Sequence, residues 1–201
     1  MPEESRGYSP LSKWLHWGMA AFVLSIIPVG LTMTRLPSGK FQDNLFVVHE
    51  SFGATILALA CLRVAVRLIR RAPEPYPGLA RWQRLAADVT HRSLYVLIVA
   101  VPVLGWAATS AYRAPISVYG LFELPPILAV DKPLAETLFG IHMAGAYLLT
   151  AFAFLHIGAA LMHGFVHRDG VLERMLPAGW GDRLSAALAA RREGRRGRPS
   201  M

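Results

Sequence analysis

The chain has 201 residues, of which 54% are hydrophobic and only 17% charged, with 21 lysines and arginines against 13 acidic residues. A soluble domain of this size cannot bury so much apolar side chain, and the single cysteine excludes a disulfide scaffold. The abundance of apolar residues excludes disorder and an aperiodic glycine content excludes collagen, so a membrane protein with several spanning segments remains. Basic nucleic-acid-binding proteins keep their charge on a soluble surface, so no nucleic-acid partner is expected.

Four apolar stretches are long enough to cross roughly 30 Å of hydrocarbon as helices. They cover residues 14–33, 45–68, 91–110 and 136–163. The first is too long for a signal-peptide core and no cleavage site follows it, so we interpret it as a retained helix. Pro28 and Pro102 lie inside spans, where they predict kinks. Period-2 alternation and internal repeats are not evident, so the predicted fold is an all-α, polytopic four-helix bundle occupying residues 1–177.

The segments between and after the spans are also informative. Residues 72–78 predict a proline-rich turn, and residues 79–90 predict an amphipathic turn or two leading into the third helix. Residues 116–128 are apolar but too short to span, so we expect them at the membrane interface. The basic tail, 178–201, contains a candidate amphipathic surface helix at 182–193.

Basic residues are distributed unequally between the two sides of this topology. The side that holds both termini has 17 of the 21 lysines and arginines, and 8 of the 13 acidic residues. By the positive-inside rule both termini are cytoplasmic. The excess of basic residues therefore encodes orientation, and the arginine-rich tail suits lipid phosphates better than nucleic acid.

Histidines inside the membrane are the strongest functional signal, because buried ionisable residues are costly and usually functional. His142 and His156 are 14 residues apart on one span. That spacing places them about 21 Å apart on nearly the same helix face. The topology puts His49 at the depth of His142 and His16 at the depth of His156. Two such pairs suit two bis-histidine b-type haems, whose iron takes axial imidazoles from facing helices.

Other interpretations of the same histidines remain open from the residues alone. An intramembrane histidine can simply hydrogen-bond across helices, and zinc is also held by imidazole, although it usually gathers four ligands at one depth. The chain lacks a C-x-x-C-H motif, which excludes covalent c-type haem. Small residues beside the histidines, Gly53, Gly145 and Gly158, would let a flat porphyrin approach the helices. His163 and His167 lie further toward the cytoplasm, where we expect them to be hydrated.

Four segments carry a family resemblance: LSKWLHWGMA, VVHESFGATILALACLRVAVRL, HRSLYVLIVAVPVLGW and HMAGAYLLTAFAFLHIGAALMHGFVHRDGVLERMLP. Together they resemble the bacterial cytochrome b561 family, which is related to the cytochrome b subunits of hydrogenases and formate dehydrogenases. The resemblance covers roughly residues 8–177. It implies that His49 and His142 hold an outer haem and that His16 and His156 hold an inner one, the pairing that depth also predicts.

Three further residues have less certain roles. His91 belongs to the family pattern and would contact a haem propionate, line a quinone pocket, or replace His16 as an inner ligand. Arg63 and Arg67 lie one turn apart near the inner end of the second span. They would neutralise haem propionates or donate to a quinone carbonyl, although basic residues that only extend to the membrane surface are common there.

The predicted function is that of a di-haem b-type cytochrome in the bacterial inner membrane, exchanging electrons with ubiquinone or another quinone. Two more specific activities are open: a superoxide:ubiquinone oxidoreductase, and a haem-bearing anchor for a larger dehydrogenase or periplasmic redox partner. A transporter with histidine relays is the competing non-redox class. It would need intramembrane acids, of which Glu50 is the clearest. The sequence assigns no catalytic residue and no oligomeric state.

Overall fold

The computed structural model describes residues 7–70 and 78–177, together with residues 179, 180, 183 and 186. Its four long helices are α1 (Pro10–Met33), α2 (Lys40–Ile69), α3 (Arg81–Tyr112) and α4 (Lys132–Leu161). Each is long and apolar enough to span a membrane, so the predicted four-helix membrane bundle is confirmed. Every helix begins several residues before its apolar stretch, because polar residues can extend a helix beyond the hydrocarbon.

Two of the helices begin at side-chain caps that the sequence supplies. The Ser9 hydroxyl accepts a hydrogen bond from the Ser12 amide at 3.3 Å. The Asp131 carboxylate accepts one from the Leu134 amide at 3.0 Å. Such caps satisfy amides that have no partner inside the helix. Pro28 and Pro102 lie inside uninterrupted helices.

The helices pack as two hairpins, α1 against α2 and α3 against α4, which α2 and α3 join together. The core cluster consists of buried apolar residues from the first three helices: Met19, Val23, Ile56, Ala60 and Ile98. On α4 only Ala135 is fully buried among the described residues. Little of α4 therefore contributes to this apolar core.

The apolar segment after α3 forms a β-hairpin that the sequence analysis does not predict. Strand β1 (Ile116–Val118) pairs antiparallel with β2 (Phe122–Leu124), with Val118 opposite Phe122. Tyr119 and Gly120 both have positive φ, as in the tight turns that join such strands. Ile116 and Val118 are buried, and β1 packs on α2. The alternation extends over too few residues to be recognised from sequence.

At the opposite end, α4 continues as a π-helical segment, Met162–His167, after which the chain turns back beneath α1. The Trp17 indole donates a hydrogen bond to the Met175 carbonyl at 2.9 Å. The predicted lead-in at 79–90 is part of α3 from Arg81 onward. The predicted turn at 72–78 and the tail helix at 182–193 lie outside the described residues, apart from residues 78, 183 and 186.

Candidate functional site

Two pairs of histidines face each other across the seam between α4 and the first hairpin. His49 on α2 faces His142 on α4, with ring centroids 6.1 Å apart and ring planes at 80°. We call these residues the outer pair, following the predicted topology. The structure thus brings together two residues that are 93 positions apart in sequence, at the end of the bundle that carries the β-hairpin.

The second pair lies at the end of the bundle where α1 begins. His16 on α1 faces His156 on α4, with ring centroids 6.0 Å apart and planes at 83°. We call these residues the inner pair. Both pairs therefore use α4, whose two histidines are about 21 Å apart along the axis at 1.5 Å per residue. All four side chains are partly buried.

The separation within each pair fits one metal ion shared by two imidazoles. Metal–nitrogen bonds of about 2 Å on either side place the two ring centroids roughly 6 Å apart. Among the described residues, no group of three or more His, Cys, Asp or Glu side chains is arranged to hold a metal ion directly. Two protein ligands per site match the axial positions of haem iron and do not complete the four-ligand shell of a structural zinc.

A glycine on α3 positions His142. A Cβ atom added to Gly105 would lie 3.0 Å from His142 Cε1, closer than ordinary contact, so a larger residue would press on the ring. The ring nitrogen Nδ1 lies 2.9 Å from the Val101 carbonyl, to which it can only donate. This bond leaves Nε2 with its lone pair free, which is the form that binds a metal.

The same arrangement recurs at His49. A Cβ atom on Gly30 of α1 would lie 3.1 Å from His49 Cε1. Here Nδ1 is buried without a hydrogen-bond partner among the described residues. A buried unpaired nitrogen is costly and is a sign of a missing partner. Sequence reasoning missed both glycines, although each lies inside a helical span, where glycine weakens a helix and needs a reason.

The predicted porphyrin-facing residues behave in two ways. Cβ atoms added to Gly53 and Gly158 would meet nothing within 4 Å, so neither glycine is needed for a contact between the helices. Gly145 differs, since an added Cβ would lie 3.0 Å from a methyl group of Val101. Its small size serves the contact between α4 and α3, so the prediction that it faces a porphyrin is not supported.

His91 lies beside the inner pair. Its ring centroid is 5.2 Å from that of His156, with planes at 69°. This distance is shorter than the roughly 6 Å expected for two imidazoles on opposite sides of one metal ion, a separation that His16 and His156 have. His91 thus contacts His156 from α3, next to His16.

The two arginines of α2 differ in their surroundings. Arg63 is partly buried, and its Nε donates to the Tyr95 hydroxyl at 3.3 Å while Nη1 donates to the Ser12 carbonyl at 3.4 Å. It thus connects α2 to both α1 and α3. Arg67 is exposed, as expected of a basic residue at the membrane surface.

His163 is not hydrated as expected. Its side chain is only 12% exposed, and Nδ1 pairs with the Asp169 carboxylate at 2.5 Å. Asp169 also accepts a hydrogen bond from the Val171 amide. The returning chain after the π-helical segment shields the imidazole from solvent, which hydropathy could not predict. His167 is exposed, and its ring lies 5.3 Å from that of His163.

Comparison with known proteins shows the family to which the chain belongs. The family described as prokaryotic cytochrome b561 matches residues 7–178. Cytochrome b561 homolog 2 of Escherichia coli is 31% identical over 84% of this chain and 90% of its own length. The probable superoxide oxidase CybB of Yersinia pestis is 28% identical over 85% of this chain and 96% of its own length. Cytochrome b562 of Cereibacter sphaeroides is 27% identical over 85% of this chain and 95% of its own length. The chain therefore belongs to the prokaryotic cytochrome b561 family of electron-transport membrane proteins, and membership implies that it binds b-type haem.

Proposed function

We propose that this protein is a di-haem b-type cytochrome that carries electrons across the membrane to or from the quinone pool. One observation supports the proposal above the others: two facing pairs of imidazoles, with centroids at 6.0 and 6.1 Å, both use α4. Bound haem supplies one-electron redox chemistry, and the protein supplies axial ligands, orientation and a low dielectric.

Each residue then has a specific task. His49 and His142 would hold the outer haem, and His16 and His156 the inner one. The Val101 carbonyl holds the His142 ring in its metal-binding tautomer. If two histidines bind each iron, neither iron would offer a free site for oxygen, so electron transfer would be favoured over oxygen activation.

The surroundings of the inner pair suit the ends of a haem or quinone. Arg63 presents a partly buried guanidinium to this region, and His91 lies against His156. Guanidinium recognises carboxylates such as haem propionates, and both groups can donate to a quinone carbonyl. We therefore keep Arg63 and His91 as candidates for these contacts, and Arg67 as a weaker one because it is exposed.

The proposed location is the bacterial inner membrane, with both termini in the cytoplasm. The charge distribution supports this orientation, since the side with the termini has 17 of the 21 basic residues. In this arrangement residues 1–177 form the haem-binding domain and residues 178–201 form a basic cytoplasmic tail. Lipid and ubiquinone, or another membrane quinone, are the proposed partners.

Haem content and ligand variants test the proposal. The protein purified in detergent should bind about two haems per chain and show a b-type reduced-minus-oxidised spectrum. His142→Ala should lose the outer haem and His156→Ala the inner one, while His167→Ala, an exposed histidine, should retain both. A folded preparation without haem would refute the proposal and favour a non-redox transporter. Loss of both haems, or of neither, in each ligand variant would refute the pairing.

Similarity to a probable superoxide oxidase favours a second, more specific candidate, oxidation of superoxide with quinone as electron acceptor. The experiment is to follow quinone reduction in proteoliposomes under a flux of superoxide. Reduction that exceeds a haem-free control would support this activity, and its absence would exclude it. Co-purification of a dehydrogenase or a periplasmic redox protein would instead favour the role of a membrane anchor.

A further inference from the structure

The two helical hairpins repeat one pattern of functional positions. In each hairpin, a histidine near the start of the first helix is followed 14 residues later by a glycine. A histidine on the second helix is followed, again 14 residues later, by the fourth residue of the pattern. These sets are His16, Gly30, His49 and Arg63 in the first hairpin, and His91, Gly105, His142 and His156 in the second. This repeat is not evident from hydropathy, because the β-hairpin lengthens the second unit and most other residues differ.

Contacts in the structure support this equivalence. Gly30 of α1 lies against the ring of His49 on the following helix, and Gly105 of α3 lies against the ring of His142 on the following helix. The glycine and the histidine thus have the same spatial relation in both hairpins. The outer pair consists of equivalent residues, His49 and His142.

The region around the inner pair, which we call the inner level, departs from this symmetry. The residue equivalent to His156 is Arg63, so α2 offers a guanidinium where a symmetric site would have its second imidazole. His16 of α1 faces His156 instead, and the equivalent of His16, which is His91, lies beside the pair. The two levels therefore differ in charge as well as in connectivity.

The charge of Arg63 is confined to the inner level. Its guanidinium lies within electrostatic range of His16, His91 and His156, whereas Arg67 acts on His91 alone and His49 has no such cation nearby among the described residues. It stacks over the Tyr95 ring, with the guanidinium carbon 5.8 Å from the ring centroid. Within residues 7–70 and 78–177, no carboxylate forms an ion pair with Arg63. The positive charge is held in place and not neutralised by these residues.

We propose that Arg63 is a charge-setting residue for the inner haem, which makes reduction there more favourable than it would otherwise be. The inference rests on the proposed di-haem function. Reduction adds one electron, and a nearby positive charge stabilises that added negative charge. One electron lost by the outer haem is the electron gained by the inner haem, so Arg63 favours electron flow from the outer to the inner level. Arg63 acts through the haem and is not a catalytic residue.

Coulomb's law sets the size of the effect. A unit charge about 10 Å from the iron, at an effective dielectric constant of about 20, changes a one-electron equilibrium roughly tenfold. Tenfold corresponds to about 59 mV for a one-electron couple.

Redox titration of variants with a single haem tests the proposal. Arg63→Gln combined with His142→Ala, which retains the inner haem, should favour the oxidised form about tenfold relative to His142→Ala alone. Arg63→Gln combined with His156→Ala, which retains the outer haem, should change the ratio of oxidised to reduced haem by less than about twofold relative to His156→Ala alone. Arg63→Lys should restore most of the inner effect because it keeps the charge. Arg70→Gln, an exposed arginine that follows α2, is the matched control and should have a much smaller effect.

Three outcomes would overturn the proposal. They are an unchanged inner potential in Arg63→Gln, an equal shift of both haems, or an equal shift in Arg63→Lys and Arg63→Gln. If the Arg63→Gln protein loses the inner haem, the Arg63→Lys protein decides between the explanations. An Arg63→Lys protein that retains the inner haem at its original potential supports a charge effect, and one that loses this haem overturns the proposal. The haem count of the unmodified protein is measured first, and fewer than two haems there would refute the proposed function itself.

Discussion

Replacement of Gly105 by alanine is the sharpest test of how the protein positions His142, the proposed ligand of the outer haem. The new Cβ would lie 3.0 Å from His142 Cε1 and 3.1 Å from Nδ1. Non-bonded carbon atoms prefer about 3.5–4.0 Å, so the ring must move by roughly 0.5 Å. The His142 Nδ1–Val101 hydrogen bond, now 2.9 Å, would then stretch beyond the usual range of about 2.7–3.2 Å.

The cost follows from the loss of this orienting bond. Removal of a partner that orients a metal-binding histidine typically lowers metal affinity by about 10–100-fold. We therefore expect Gly105→Ala to weaken binding of the outer haem at least about tenfold, with the inner haem unchanged. Alanine is a better helix former than glycine by about 1 kcal/mol, so the helix itself should not be weakened.

Haem titration of the apoprotein, followed by the difference spectrum of each haem, measures the effect. Gly140→Ala on α4 is the matched control, because its new Cβ would meet nothing within 4 Å. The loss of outer-haem affinity in Gly30→Ala should lie between those of Gly105→Ala and Gly140→Ala. Its new Cβ would be 3.1 Å from His49, but no hydrogen bond of the His49 Nδ1 atom would break. Unaltered affinity for the outer haem in Gly105→Ala, or an equal loss in Gly140→Ala, would refute the reasoning.

Two further predictions concern the elements that enclose the site. Ser51→Ala removes the hydroxyl that accepts the Tyr119 amide at 2.8 Å. Because an unpaired buried amide costs about 1–3 kcal/mol, hydrogen exchange in the β-hairpin should accelerate roughly tenfold, and Thr137→Ala should have no such effect. Asp169→Ala leaves His163 without its partner and should lower the free energy of unfolding by about 1–3 kcal/mol. Asp88→Ala breaks only an exposed ion pair with Arg92 and should change that free energy by less than about 1 kcal/mol, so equal losses would contradict the assigned role of Asp169.

Much of this architecture could be predicted from the sequence because it depends on local and linear properties. Hydropathy identified the four spans, since crossing a bilayer requires about 20 apolar residues in succession. Helical periodicity placed His142 and His156 on one face of α4. Topology then gave each of them a partner at its own depth, and the structure brings both pairs to about 6 Å.

The remaining features depend on how the helices rotate and approach one another. Hydropathy does not say which glycine lies behind which histidine, so Gly30 and Gly105 were missed. It also placed His163 in water, whereas the returning chain and Asp169 enclose it. The β-hairpin is stabilised by its contact with α2 and not by strong local preference.

The sequence by itself therefore determined the spans, the depth of each histidine and the pairing that depth allows. Only the tertiary structure decided that His91 lies beside His156, and that Arg63 of α2 contacts both α1 and α3 next to the inner pair. The physical reason is that depth follows from distance along one helix, whereas a contact between helices depends on the packing of several segments at once.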